Sequence, residues 1–299
     1  MDDIGTLDSL KITVLAEDSV LYESPYLGQH GVSFLLEGIS GENKNSILVD
    51  VGQNSEALLG NMQKMGISPA VIDAIILTHC HYDHTQGVAR ILREVGKNDT
   101  KVIAHSAIFR PHFLLEPSFR YAGIMPGDSK PEIEKAGGCL YLSREPFIVM
   151  PGITTTGEVE RRTDFERVPI GLKTIKNDMV VDDPMPDDIS VVANIKGKGL
   201  VIITGCSHAG IINITRQAID LTDCHKIEGI IGGLHLIEAT DKVIEKTVDE
   251  LSRLKVAWIS AGHCTGFKAQ VELHTAFGEG FSPLHTGMQF DLWPANGLY

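Results

Sequence analysis

The sequence has no long hydrophobic run and little cysteine. No stretch of its 299 residues approaches the roughly 20 apolar residues that a transmembrane helix needs. The five cysteines are an odd number and are scattered, so no disulfide framework is predicted and a reducing compartment fits best. The N-terminal stretch is acidic, whereas a secretory signal carries basic residues before an apolar core and a cleavage site. We therefore expect a cytoplasmic protein with no membrane partner.

Positive charge is also scarce. The chain carries 26 lysines and arginines against 39 aspartates and glutamates, a net charge of −13. An acidic chain repels phosphate backbones, so no nucleic-acid partner is expected, although a local basic pocket could still bind a small anionic substrate. Hydrophobic residues make up 43% of the chain, enough for a large core. No feature of the sequence predicts an oligomeric state.

The regular elements form two similar successions, each with a β-rich stretch followed by strands that alternate with helices. In the first half, short apolar runs predict strands at 10–17, 32–38 and 46–52, and a further buried strand that ends at Thr78. In the second half, strands at 200–205, 229–233 and 256–263 alternate with helices at about 209–221, 240–254 and 267–277. Such a chain can pair two sheets face to face with helices outside. The predicted fold is a four-layer αββα sandwich of class α/β, with residues 1–299 as one domain.

Two segments break this rhythm. Residues 106–138 combine aromatic, proline and basic residues with weak periodicity, so we expect an insertion that is either a lid over a site or a plain surface segment. Residues 182–188 read DDPMPDD, and this acidic, proline-bearing run is predicted to be a solvated loop.

The most specific feature is the segment THCHYDH at 78–84. His79 and His81 are two residues apart in an extended stretch, so their side chains can point the same way, and Asp83 and His84 follow around a turn. Imidazole nitrogen and carboxylate oxygen together suit zinc or another divalent first-row ion. A polar surface cluster is disfavoured, because the four ligand-type residues directly follow a buried strand. The segment predicts a metal site.

The same pattern recurs at later strand ends. Three apolar runs are each followed by glycine and then by a ligand-type side chain, namely Cys206 with His208, His235, and His263 with Cys264. In layered α/β folds, sites gather at one set of strand ends. We expect these side chains to converge on the first motif.

THCHYDH resembles the HxHxDH motif of the metallo-β-lactamase superfamily, and the resemblance extends over nearly the whole chain. By this resemblance, Asp50 in ILVDVG accepts a hydrogen bond from the imidazole N–H of a ligand histidine. Cys206 in VIITGC replaces an aspartate that bridges two metals. The resemblance implies two divalent metal ions. The implied ligands of the first ion are His79, His81 and His208, and those of the second are Asp83, His84 and His263. Cys206 lies between the two ions or closer to the second. A thiolate ligand favours zinc, with manganese or iron as alternatives.

One element departs from the family pattern. The family usually has a histidine in a Pro-Gly-His-Thr-like turn, and the matching stretch here, MPGITTTGE, has Ile153 at that position. Either a ligand is missing, or His208 replaces it, or Glu158 does. We favour His208.

The segments QHGVSFLLE, GCSHAGI, GGLHL and AGHCTG resemble one branch of the superfamily, the metal-dependent hydrolases. The implied function is hydrolysis of a small anionic (phospho)ester by a hydroxide that two metals activate. A first alternative is a transferase resembling the dihydropterin ribofuranosylaminobenzene 5′-phosphate synthases of methanopterin biosynthesis, a name that some members of the branch carry. A second is a non-catalytic metal-binding sensor with a degenerate site.

Several side chains are candidates for roles beyond metal binding. Asp83 is the predicted catalytic residue, which would orient the hydroxide or pass a proton to the leaving group. The predicted substrate-binding residues are Arg110, Arg120 and Tyr121 in the insertion, together with His30 and His235. A solvated or structural role stays open for each of these five.

Overall fold

The computed structural model describes residues 3–167 and 171–294. The strands are β1 (Ser9–Ala16), β2 (Ser33–Ser40), β3 (Asn43–Val49), β4 (Ala74–Leu77), β5 (Thr100–Ala104), β6 (Phe113–Leu114), β7 (Arg120–Tyr121), β8 (Gly138–Leu142), β9 (Ile148–Met150), β10 (Ile153–Thr155), β11 (Leu172–Lys176), β12 (Met179–Asp182), β13 (Val191–Ile195), β14 (Gly199–Thr204), β15 (Ile227–Gly233), β16 (Trp258–Gly262), β17 (Phe281–Pro283) and β18 (Gln289–Leu292).

The α-helices are α1 (Ser55–Lys64), α2 (Tyr82–Thr85), α3 (Val88–Val95), α4 (Lys130–Lys135), α5 (Ile211–Thr222), α6 (Asp241–Arg253) and α7 (Phe267–Phe277). Short 3₁₀ turns lie at Pro69–Val71, Pro126–Asp128, His263–Thr265 and Gly278–Gly280. Within the described residues, no helix is both long and apolar enough to cross a membrane.

Two seven-stranded sheets share one plan. The first has the order β18-β1-β2-β3-β4-β5-β8 and the second β17-β16-β15-β14-β13-β10-β9. In the first sheet, β18 to β3 pair antiparallel and β3 to β8 pair parallel. The second sheet likewise divides at β14 into a parallel part, with β15 to β17, and an antiparallel part, with β13 to β9. The two successions seen in the sequence are therefore the two sheets.

The sheets pack face to face, and helices cover both outer faces. On β3, Ile47 and Val49 point inward to a core shared with Val191 of the second sheet, while Leu48 between them points outward to the α1 and α3 side. The outer face of the second sheet, for example Ile202, packs with residues of α5, α6 and α7. Strands with both faces covered are apolar at successive positions, as in β4 and in the last three residues of β3. The predicted four-layer αββα sandwich is confirmed.

The parallel strands bring the ligand-type residues to one edge. The motif of residues 78–84 follows β4, and Cys206, His235 and His263 follow β14, β15 and β16 respectively. Adjacent parallel strands end side by side, which is why sites gather there. Four non-glycine residues near these strand ends have a left-handed backbone, namely Asp50, Ser207, His235 and His263. Such strained positions cluster at functional sites.

The two irregular segments pack together. In the insertion, β6 pairs with β7 and with β11, which forms a small third sheet of order β12-β11-β6-β7. The prediction that residues 182–188 form a solvated loop was wrong. Asp183, Asp187 and Asp188 are buried, because their carboxylates bind Arg110 and backbone N–H groups. A role of the insertion as a lid stays a prediction.

Candidate metal centre

Asp50 holds the turn that begins the HxHxDH motif. It lies just after β3 and is fully buried, with a left-handed backbone at φ 56°. One carboxylate oxygen accepts the Thr78 backbone N–H at 2.8 Å, and the other accepts the Thr78 hydroxyl at 2.7 Å. Since that hydroxyl donates to Asp50, it can only accept from His79 Nδ1, which lies 3.0 Å away. The proton of His79 is therefore on Nδ1, and Nε2 carries the free lone pair.

Three imidazole nitrogens converge in front of this turn. His79 Nε2 lies 3.1 Å from His81 Nδ1, and His208 Nε2 lies 3.2 Å from the same atom. His208 comes from the other sheet, two residues after Cys206. Of the alternatives for the missing third histidine, the structure brings His208 to the cluster, whereas Glu158 binds elsewhere and Ile153 lies in the core between the sheets.

His84 points at Cys206 across the interface between the sheets. His84 Nδ1 lies 2.7 Å from an Asp50 oxygen, and Nε2 lies 3.2 Å from Cys206 Sγ. The carboxylate fixes the proton on Nδ1 and leaves Nε2 free to bind. The preceding residue, Gly205, lets the sheets approach this closely. A Cβ at this position would lie 2.2 Å from Thr78 Oγ1 and 2.8 Å from the Asp50 carboxylate.

His263 and Asp83 complete the second side of the centre. His263 Nδ1 lies 3.1 Å from an Asp18 oxygen, while its Nε2 lies 3.3 Å from Asp83 Oδ2. The same Asp83 oxygen lies 3.5 Å from His84 Nε2 and 3.4 Å from His30 Nε2. Asp83 is therefore placed between three imidazoles.

The histidines on the two sides have opposite electrostatic environments. Burial lowers the pKa of His79 and of His208 well below its usual value, and neighbouring imidazoles lower it further. Burial also lowers the pKa of His84, but the Asp83 and Asp50 carboxylates outweigh burial and raise that pKa to about 9.

The pKa of His263 is likewise raised well above its usual value, because the effect of burial is outweighed by Cys264 and Asp18. For Asp83, burial raises the pKa, but His84 and His263 outweigh it and hold that pKa well below its usual value. The carboxylate of Asp83 is therefore ionised at neutral pH.

The donor atoms fit two metal ions. Among the described residues, four groups of three have ligand atoms that all lie within 4.8 Å of one another: His79–Cys206–His208, His84–Cys206–His263, Cys206–His235–Cys264 and Asp18–His30–His263. The first two share Cys206 and consist of ligands that the sequence predicted. His79 Nε2 faces the cluster with a lone pair, whereas His84 and His263, whose pKa values are raised, would each lose a proton on binding an ion. Imidazole and thiolate are ligands that zinc prefers. These residues would hold the ions; the number and identity of the ions stay predictions.

A cavity of about 310 Å³ opens onto this centre. Its lining residues are Asp18, His30, His81, Tyr82, Asp83, Leu114, Arg120, Ala122, Leu172, Cys206, His208, His235, Ile237, Glu238, His263 and Cys264. Three of the five predicted substrate-binding residues, His30, Arg120 and His235, lie on it. Arg110 does not line this cavity, because Asp183 and Asp187 bind its guanidinium, and Tyr121 lines a different cavity beside Phe109.

Sequence reasoning missed two residues that contact predicted ligands, His112 and Asp18, and a third, Asp183, that binds His112. His112 Nε2 lies 2.8 Å from His81 Nε2, and His112 Nδ1 lies 2.7 Å from Asp183. Asp18 binds His263, as described above. His112 and Asp183 lie in the two segments without regular periodicity, so no spacing linked them to the motif. The only signal was that both segments are unusually rich in polar residues.

Comparisons with known proteins decide the family. Residues 28–174 match the family described as the metallo-beta-lactamase superfamily. Over 288 residues the chain is 43% identical to the 7,8-dihydropterin-6-methyl-4-(beta-D-ribofuranosyl)-aminobenzene-5′-phosphate synthase of Methanocaldococcus jannaschii, covering 95% of this chain and 97% of that protein. The chain belongs to the metallo-beta-lactamase superfamily. As predicted, it is an enzyme, like the synthase that it resembles.

Two further proteins are similar along most of their length. An uncharacterized protein of Methanocaldococcus jannaschii is 35% identical over 259 residues, covering 86% of this chain and 91% of that protein. The crystal structure of Tm1679, a metal-dependent hydrolase of the beta-lactamase superfamily, superposes with a TM-score of 0.77 at 26% identity. That match covers 95% of this chain and 99% of the other. The fold and the family predicted from the sequence are thus confirmed.

Proposed function

We propose that this chain is a metal-dependent transferase that joins a dihydropterin to a ribofuranosylaminobenzene 5′-phosphate. The observation that carries the proposal is the 43% identity to a synthase of that name over 95% of this chain and 97% of the relative. The transferase was the alternative in the sequence analysis, where hydrolysis stood first. The breadth of this likeness reverses that order.

The proposed reaction is a displacement at carbon. The amine nitrogen of the ribofuranosylaminobenzene 5′-phosphate attacks the methylene carbon on C6 of a dihydropterin methyl pyrophosphate. A C–N bond forms and the C–O bond breaks. Pyrophosphate leaves with the electron pair, and the amine loses one proton. Both substrates are anionic and carry planar rings, which agrees with the anionic substrate expected from the sequence.

The charges that line the cavity support a reaction that needs bound cations. Asp18, Asp83 and Glu238 line the cavity, and Arg120 is the only lysine or arginine among its described lining residues. Without cations, such a cavity repels a pyrophosphate group. Divalent ions held by the two ligand groups would supply the positive charge that a pyrophosphate leaving group requires.

The chain's own residues suit the other requirements. Arg120 reaches the cavity from β7 and can bind the phosphate of the ribose, because guanidinium matches phosphate geometry. The carboxylate of Asp83, beside the half-exposed His30, lies in the cavity and can orient the attacking amine by accepting its N–H, while the proton that the amine loses passes to water. The five free cysteines fit the proposed cytoplasmic location.

Hydrolysis of a small anionic phosphoester is the second candidate. It is supported by the likeness to Tm1679, and by the position of Asp83 between His84 and His263, where a carboxylate can orient a water molecule.

One experiment separates the candidates. The full chain, loaded with zinc, is incubated with the dihydropterin methyl pyrophosphate in the presence and in the absence of the arylamine ribotide, and products are identified by mass spectrometry. The transferase proposal expects coupled product only when both substrates are present. Pyrophosphate release without the acceptor at the same rate would favour the hydrolase. Absence of turnover with two ions bound would overturn both in favour of a sensor. The variant Asp83→Ala should abolish either activity.

A further inference from the structure

A buried chain of three side chains leads from the acidic segment to the metal centre. Asp183 Oδ2 lies 2.7 Å from His112 Nδ1, and His112 Nε2 lies 2.8 Å from His81 Nε2. His112 and Asp183 are both fully or almost fully buried. The three residues belong to three separate segments: the acidic run, the insertion and the HxHxDH motif.

The direction of the hydrogen bonds along this chain is determined at its far end. Asp183 Oδ2 also accepts from Arg110 Nε at 2.8 Å, and the other oxygen accepts the Met185 backbone N–H at 2.8 Å. Burial raises the pKa of Asp183, but His112 and Arg110 outweigh it and lower that pKa to about 2, so the group is an acceptor only.

Because Asp183 only accepts, His112 donates from Nδ1, and its Nε2, on the opposite side of the ring, is paired with His81 Nε2 as the acceptor. The partner of that acceptor, His81 Nε2, has to carry the proton of its ring. His81 Nδ1 is left with a free lone pair, and this is the atom that faces His79 Nε2 and His208 Nε2.

We infer that His112 is a positioning residue which, held by Asp183, fixes the tautomer and the ring orientation of His81 so that its Nδ1 is available as a metal ligand. Asp50 does the same for His84 directly and for His79 through Thr78. Asp50 lies at the end of a core strand, whereas His112, which holds His81, lies in the insertion.

The backbone on both sides of His81 is bound by the same two segments. Cys80 N–H donates to Asp187 at 2.8 Å, and Tyr82 N–H donates to the Ala122 carbonyl at 3.0 Å. The insertion and the acidic segment therefore hold the ring and the flanking peptide groups together. By linkage, whatever strengthens binding at His81 Nδ1 also strengthens the docking of the insertion.

The test compares two buried histidines of the same region. His112→Phe keeps a ring but removes both nitrogens. His105→Phe is the matched control, since His105 is also buried and also lies near a carboxylate, Glu158 at 3.2 Å, but does not contact the cluster. Zinc content and zinc dissociation constants are measured by competition with a chelator. Loss of the support should weaken binding of one ion by about 10- to 100-fold in His112→Phe, with wild-type affinity in the control.

A second readout needs neither zinc nor turnover. In the ion-free full chain, the ¹⁵N chemical shifts of His81 should report the proton on Nε2, and in His112→Phe they should report a mixture of tautomers. A wild-type proton on Nδ1 would overturn the inference, as would equal zinc affinities of the two variants. Both readouts are independent of the proposed reaction, so the failure of one idea does not imply the failure of the other.

Discussion

The two halves of the metal centre share one sulfur but differ in everything around it. On one side, His79 and His208 lie in one ligand group with Cys206, and His81 Nδ1 faces both imidazoles. No described carboxylate lies in direct contact with these three rings. On the other side, His84 and His263 meet the same cysteine.

Three carboxylates, those of Asp18, Asp50 and Asp83, lie in direct contact with the second side. The same residue type is thus placed in two environments, and the pKa of histidine is lowered on one side and raised on the other. The difference indicates a nitrogen and sulfur site beside a site that also offers oxygen, and oxygen ligands accept harder ions such as manganese.

The largest effect is expected from removing the shared ligand. Cys206→Ala takes one donor from both groups, so both ions should be lost and activity should fall to background. Metal analysis of the purified chain checks this, with the exposed Cys139→Ala as control. Retention of two ions by Cys206→Ala would show that the cysteine is not shared.

Substitutions on one side only should separate the two sites. His208→Ala should lose the ion on the carboxylate-free side, and His263→Ala the ion on the carboxylate side, so each retains about one ion. When zinc and manganese compete, manganese should be retained by His208→Ala and excluded from His263→Ala. His225→Ala, on the surface, is the control. Loss of both ions in either variant would contradict the independence of the two sides.

The supporting carboxylates should have smaller and unequal effects. Asp50 supports His84 directly and His79 through Thr78, whereas Asp18 supports only His263 of the three. Asp50→Asn should therefore weaken the binding of both ions by about 10- to 100-fold, while Asp18→Asn should weaken the binding of only one ion. Chelator competition with each variant measures the difference. An equal loss of affinity for both ions in Asp18→Asn would refute the assignment of Asp18 to His263 alone.

The smallest effect is expected at Arg120, which lies outside both ligand groups. Arg120→Ala should raise the KM for the phosphate-bearing substrate roughly tenfold, the size expected for a charged hydrogen bond, with kcat and zinc content unchanged. Steady-state kinetics measures this, and the exposed Arg253→Ala serves as control. A loss of zinc in Arg120→Ala would show that the residue acts on the metal centre instead.

The sequence predicted the layers and half of the centre because both follow local periodicity. Leu48 between Ile47 and Val49 has the unbroken apolar pattern of a strand covered on both faces, and the HxHxDH residues are almost contiguous. His208 could be favoured only because ligand-type residues recur at strand ends. These signals are short in range.

Ion pairs and hydrogen bonds between residues far apart in the sequence could not be predicted in this way. Residues 182–188 were predicted to be solvated because the sequence displays their charge and not their partners, Arg110 and His112, which lie about 70 residues earlier. For the same reason Arg110 was a candidate for substrate binding, although its guanidinium pairs with Asp183 and Asp187. A charged residue is exposed or buried according to what the fold brings to it.

The division of the ligands between the two sheets has a consequence for biosynthesis. His79 and His84 follow a strand of the first sheet, whereas Cys206, His208 and His263 follow strands of the second, so neither of these two ligand groups lies within a single sheet. The centre exists only after residue 263 has been synthesised and the layers have docked in register. A copy that is truncated before residue 263, or whose sheets are out of register, would therefore lack at least one of the two groups.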